Sequence, residues 1–232
     1  RPGDAQALVF ALLLSADADI AHKQLDEVRA VQGPALADRS AALRAAVVAA
    51  GAALRLPLLD LALPALKELS GEARRALLAT TDALVRADGR VSLFEYALQR
   101  LLRVALQGRR SGLRPAALAT PGRLKDDCGV LFSLLARAGH RTEFDVEAAF
   151  TRAAGLAPLD GPYPLLGAAD IGPARIDAAL ERLAASSPPF RKRLLEACAA
   201  AVLHDGQVAP EEYELLRTVG EALDCPLPPL PP

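Results

Sequence analysis

Apolar residues recur every three to four positions along nearly the whole chain, and no stretch alternates with the period of a half-buried strand. The pattern predicts helices over about 4–14, 19–31, 34–51, 71–87, 93–107, 123–138 and 143–154, then over 173–185, 188–203 and 210–223. Asp4 reads as the cap of the first, and Gly33-Pro34 opens the third. The stretch 56–69 has the same period but carries two prolines. Pro57 suits a first turn, whereas Pro64 is expected to kink or break the helix, since its ring clashes with the preceding turn and it has no N–H. Gly and Pro crowd the stretch 155–172, which reads as a long connection, and the Pro-rich tail 225–232 is expected to be extended.

Composition sharpens this into an all-α, multi-helix bundle. Hydrophobic residues make up 52% of the 232 positions but aromatics only 4%, with no Trp or Met. The core must be built from Leu, Ala and Val, of which Leu and Ala are strong helix formers. A net charge of −1 gives no electrostatic reason to expect nucleic acid or an anionic membrane as partner. The local basic cluster Arg100, Arg103, Arg109, Arg110 and Arg114 reads as a solvated helix end running into a loop. No apolar run approaches the ~18 residues of a membrane span. Three cysteines without a CxxC pair suit a reducing, cytoplasmic compartment, with Cys128 and Cys198 as core residues.

One helical unit occurs twice. At an offset of 117 positions, the stretch from Ala87-Asp88-Gly89-Arg90-Val91 to Glu95-Tyr96 lies on that from His204-Asp205-Gly206-Gln207-Val208 to Glu212-Tyr213. The match runs forward through Leu98 with Leu215 and Leu106 with Leu223, and backward through Val85 with Val202 and Arg74 with Arg191. Each copy is a unit of three helices, 56–107 and 173–224, within a region 56–224 that follows an N-terminal helical segment, 1–55.

The repeated element is helix, Asp-Gly-x-Val, helix. Gly89 and Gly206 suit the left-handed position that closes a helix. Ser92 and Glu95 form a capping box for the next helix; in the second copy Ala209 has no capping side chain, but Pro210 fits the first helical position. Asp-Gly-x-Val-x-x-x-Glu is also the second half of a calcium-binding EF-hand loop. A complete EF-hand is excluded, because the first and third ligand positions fall on Leu84 and Arg86, and on Ala201 and Leu203. A pooled site for a divalent cation made of Asp88, Glu95, Asp205 and Glu212 is the metal reading that survives. Helix capping is the competing one.

No catalytic set is visible. His22, His140 and His204 are far apart in sequence, none begins His-Glu-x-x-His, and zinc-assisted hydrolysis needs three ligands and a base. His140-x-x-Glu143 reads as local capping and His204-Asp205 as the exposed corner of a hairpin. A hydrolase built on His204 would need a nucleophile that the sequence does not offer.

At the Asp-Gly hairpins the chain resembles tellurite-resistance TerB-like domains, which are small helical modules. It also resembles the C-terminal helical region that follows the peptidase domain in bacterial membrane-bound zinc metallopeptidases of the HtpX and CAAX-protease type. Residues 8–14, 56–66, 87–95, 214–217 and 225–229 carry this second resemblance. It implies a non-catalytic regulatory or interaction domain, without a cofactor, tethered through upstream segments to the cytoplasmic face of a membrane. Its partner would be another protein or the upstream protease domain. The alternative is a stand-alone TerB-like metal-binding or metal-sensing module. Protease activity does not carry over, because the motif that would bring it is absent from this sequence.

Overall fold

The computed structural model describes residues 1–87, 92–107, 120–225 and 227. Among these there are eleven α-helices and no strand, so the chain is all-α. It divides into two compact units, Arg1–Arg109 and Arg110–Pro232. The expected boundary at 55/56 falls inside the first unit.

The first unit contains α1 (Pro2–Leu13), α2 (Ala18–Gln32), α3 (Pro34–Ala50), a single 3-10 turn (Ala52–Leu54), α4 (Arg55–Leu66), α5 (Gly71–Arg86) and α6 (Leu93–Gln107). The second contains α7 (Pro121–Gly139), α8 (Glu143–Leu156), a 3-10 turn (Ala168–Asp170), α9 (Pro173–Ala184), α10 (Pro188–Val202) and α11 (Pro210–Ala222). Helix starts follow the local chemistry. Asp17 accepts from the N–H groups of Asp19 and Ile20 at 2.9 and 3.1 Å, and Ser70 accepts from Ala73 at 3.2 Å. Thr120 and Thr142 do the same for α7 and α8.

Two expectations at helix ends are corrected. Helix α1 starts at Pro2, and Asp4 sits within its first turn, where Arg39 holds it at 2.6 Å. A carboxylate is favourable there because the first turn carries the positive end of the helix dipole. Helix α4 runs through Pro64 and ends two residues later. A proline this close to the C-terminus removes one ladder bond next to a turn that terminates anyway, and Lys67 still donates to Leu63 at 3.0 Å.

Each unit wraps around one apolar helix. In the first, α1 buries Val9, Phe10 and Leu13 against α3, α4 and α5. In the second, α7 buries Leu131, Phe132 and Leu135 among α8, α9, α10 and α11. A helix that is apolar on most sides has to sit centrally. Within the first unit α4 packs on α1 and α6, and α5 on α1, α2 and α6; within the second α9 packs on α7 and α11, and α10 on α7, α8 and α11. Helices α4 to α6 begin at 55, 71 and 93, and α9 to α11 at 173, 188 and 210. The helix that follows the Asp-Gly element is closed in the same way in each unit. Arg74 donates to Leu106 O at 3.5 Å and Arg191 to Leu223 O at 2.8 Å, both across 32 positions.

No single described helix is long and apolar enough to cross a membrane. The run Pro34–Ala50 with Ala52–Leu66 passes by length and composition only as a pair bent by 115°.

Gln24 ties three segments of the first unit together. Its side chain, 2% exposed, accepts from Ser15 N at 2.8 Å and donates to Leu13 O and Leu84 O at 3.0 and 2.9 Å. The two carbonyls lie in the last turns of α1 and α5, where intrahelical partners run out; Leu84 O keeps one bond, from Ala87 N–H at 3.2 Å. Gln24→Leu keeps the volume but strands Ser15 N–H and Leu13 O, so we expect a loss of about 2 kcal/mol or more in urea unfolding. His22→Leu, on the exposed side of the same helix, should cost less than about 0.5 kcal/mol.

Candidate functional site

The carboxylates of the two hairpins act first as helix caps. In the first unit Ser92 N–H donates to Glu95 Oε2 at 2.7 Å, and Glu95 N–H donates to Ser92 Oγ at 3.2 Å. This is the expected capping box. Asp88 and Gly89 lie outside the described residues. In the second unit half of the box survives without a hydroxyl: Ala209 N–H donates to Glu212 Oε2 at 2.8 Å. Gly206 is left-handed at φ 76°, and Asp205, exposed, accepts from Gln207 N–H at 2.9 Å to tighten the turn.

Burial separates the two glutamates. Glu95 is half-exposed, whereas Glu212 is 3% exposed. Burial pushes the Glu212 carboxyl above the ordinary carboxylate range, and the negative charges of Asp205 and Glu211 push the same way, against the Ala209 N–H and His140. Its Oε1 has no protein partner. It rests on Gly139, the last residue of α7, where a Cβ would lie 1.7 Å from Oε1 and 2.2 Å from Cδ. Gly139 reads in the sequence as a turn, but it is still helical, and what it supplies is room.

One histidine lies near this carboxyl, and a second lies near the first. His140 follows α7 and donates from Nδ1 to Ala136 O at 3.0 Å. The His204 ring, in the hairpin, lies 5.8 Å from that of His140, centroid to centroid. His140 Nε2 and His204 Nδ1 are buried without a hydrogen-bond partner, like Glu212 Oε1. The hairpin and the end of α7 thus bring one acid and two imidazoles into one neighbourhood, from positions with no shared sequence motif. Among the described residues, however, no three His, Cys, Asp or Glu side chains converge to hold a metal ion.

The other sequence candidates have structural roles. Glu143 pairs with Arg137 at 2.8 Å, and this contact holds its carboxyl below the usual range; the cap of α8 is Thr142. Cys128 and Cys198 are fully buried. Burial, with Asp127 adding to it, pushes the Cys128 thiol up to about 12, and burial raises Cys198 as well. Neither is a thiolate nucleophile at neutral pH. In the basic cluster Arg103 clasps Asp82 through contacts of 2.7 and 2.8 Å, while Arg109, Arg110 and Arg114 lie outside the described residues.

No known family profile, curated protein or solved structure matches the chain.

The contact between Gly139 and Glu212 is testable. Gly139→Ala should improve the helix yet destabilise the protein by about 1–3 kcal/mol through overpacking. Combined with Glu212→Ala it should cost less than the two single changes added together, which a double-mutant cycle reads directly.

The raised Glu212 carboxyl also has a pH signature. The folded state holds this proton more tightly than the unfolded chain, so its contribution to stability is greatest at low pH. That contribution is lost as pH rises from the ordinary value of 4.5 through the raised one. Glu212→Gln, which mimics the protonated form, should flatten the dependence of urea midpoint on pH in that window.

Proposed function

We propose that the chain is a non-catalytic helical domain for regulation or protein interaction, appended to a membrane metallopeptidase on its cytoplasmic side. The observation that carries this reading is the use made of the chemically capable side chains. Glu95 and Glu212 cap helices, Glu143 is held by Arg137, and Cys128 and Cys198 are shut in the core. A nucleophile with a base beside it, or a metal-bound water, is what hydrolysis would require. The resemblance of residues 8–14, 56–66, 87–95 and 214–229 to the region behind such peptidase domains supplies the rest. Helix α3 supports an interaction role. Only Ala37 and Ser40 are buried along its length, and Val48 stands 66% exposed on it.

A second reading, a stand-alone TerB-like metal-binding or metal-sensing module, is favoured by one specific observation. Glu212 Oε1, His140 Nε2 and His204 Nδ1 are buried with no protein partner, and carboxylate and imidazole are ordinary metal donors. Asp205 of the same hairpin is a further carboxylate, exposed.

The first reading predicts that deleting this region from the parent protein leaves the peptidase in the membrane and active on a short peptide. Turnover of a folded protein substrate should change. Unchanged turnover of both substrates would sink it, as would metal-dependent proteolysis by the isolated chain that is lost on replacing any of the three histidines. It also predicts no shift in melting temperature with millimolar calcium, magnesium or zinc. A rise that vanishes in both Asp205→Asn and Glu212→Gln would put the metal reading first, because a ligand that binds only the native state must raise its stability.

A further inference from the structure

Between α8 and α9 the chain runs as a strap over α7. Residues 162–167, Pro-Tyr-Pro-Leu-Leu-Gly, have no regular secondary structure, and one row of α7 receives them. Gly129 lies under Pro164: a Cβ there would stand 2.6 Å from Pro164 O and 2.8 Å from Pro164 Cγ and Cδ. One turn on, Ser133 Oγ accepts from Leu166 N–H at 2.9 Å. One turn further, Arg137 Nε donates to Leu166 O at 2.7 Å. Tyr163 packs its ring against Phe132 at 5.5 Å, edge to face.

This is how a helix reads an extended peptide. Positions i, i+4 and i+8 supply a notch for a proline, an acceptor for a backbone N–H and a donor for a backbone carbonyl. Backbone groups give affinity in such modes, and the shaped notch gives preference. The strap is also shallow. Pro162 and Gly167 are exposed and Tyr163 to Leu166 only half-buried, and the strap runs from Gly161 before it to Gly167 as its last residue. Gly161 is left-handed at φ 107°. A segment that stays half-exposed along its length, with glycine at both ends, is drawn from the low-stability part of a fold.

We propose that the row Gly129, Ser133 and Arg137 of α7 is a docking groove for an extended, proline-containing apolar segment of a partner protein, and that residues 162–167 occupy it in cis as an autoinhibitory strap. The partner supplies the same chemistry in trans: a proline over the glycine notch, and two positions later a residue whose backbone N–H and C=O meet Ser133 and Arg137. This rests on the reading of the chain as an interaction domain and names the class of partner.

The test uses the full chain and a fluorescein-labelled peptide of sequence Gly-Pro-Tyr-Pro-Leu-Leu-Gly, capped at its C-terminus. In hydrogen exchange the Leu166 amide should open independently of the amides of α7. Gly129→Ala adds a better helix former but fills the notch, so Leu166 should lose protection while α7 keeps its own. A chain with 162–166 replaced by Gly and Ser should bind the peptide in fluorescence anisotropy. Adding Gly129→Ala to that chain should abolish binding, and adding Ser133→Ala should weaken it.

Three results would overturn the proposal. One is Leu166 exchanging only together with α7. Another is a folded strap-replaced chain that does not bind the peptide. The third is a strap-replaced chain that no longer folds, since the segment would then be part of the core. The deletion experiment on the parent protein is separate: its failure sinks the interaction-domain reading, while failure of the peptide sinks only the strap.

Discussion

A chain of many helices joined by short connections is constrained above all by its helix ends, each of which leaves four backbone groups without partners inside the helix. This protein meets the constraint with individual side chains reaching across the fold. Gln24 serves the ends of α1 and α5, Arg74 serves α6, and Arg191 serves α11. Arg44 reaches Ser15 O and Ala16 O, beyond the end of α1, at 2.6 and 2.8 Å. Each such bond fixes where one helix must end relative to another. The core of Leu, Ala and Val, which has little shape preference of its own, therefore has few ways to be assembled wrongly. Polar side chains so used are also withdrawn from chemistry, which is why the richest acidic motifs in the sequence turn out to be caps.

The two hairpin glutamates show how one local motif acquires two characters. Glu95 and Glu212 each accept the N–H three residues earlier. The difference is imposed from outside the motif: the end of α7 presses Gly139 onto Glu212 and brings His140 beside it. A buried carboxyl with a free oxygen is an uncomfortable group unless it is protonated or bound. Proton uptake answers this without any further ligand. A cation would answer it too, but would need donors that converge, which the described side chains do not do.

Much of the fold was legible because its signals are local. Periodicity placed the helices, Gly33-Pro34 and Pro210 marked starts, and Ser92 with Glu95 announced a box that the structure forms. What escaped depends on residues distant in sequence. Nothing near Gln24 says that Leu84, 60 positions away, will need its amide. Gly139 carries the usual signature of a helix stop, and only the position of Glu212 reveals that it provides space instead. Pro64 was misread for a related reason, since the rule against proline weakens in a last turn and the end of α4 is set by packing on α1 and α6. The grouping of His140, His204 and Glu212 had no sequence signal at all.

The segment after the second helix of each unit decides what the central helix beneath it must offer. In the first unit it is α3, rich in Ala, Val and Arg with no proline beyond Pro34, and it satisfies its own backbone. Its support, α1, can therefore be apolar almost throughout, and is. In the second unit the segment 157–172 holds Pro158, Pro162 and Pro164 among glycines, so before the 3-10 turn it has no helix, and among the described residues no strand pairs with it. Its half-buried backbone groups need partners from the helix beneath. That helix, α7, has Ser133 and Arg137 where the strap crosses, and Gly129 where a proline must come close. The polar row on an otherwise apolar central helix is thus the physical counterpart of the prolines above it. Its bonds are made to backbone atoms, and Gly129 adds only a notch shaped for proline, so any extended segment with a proline at the right place satisfies the same row.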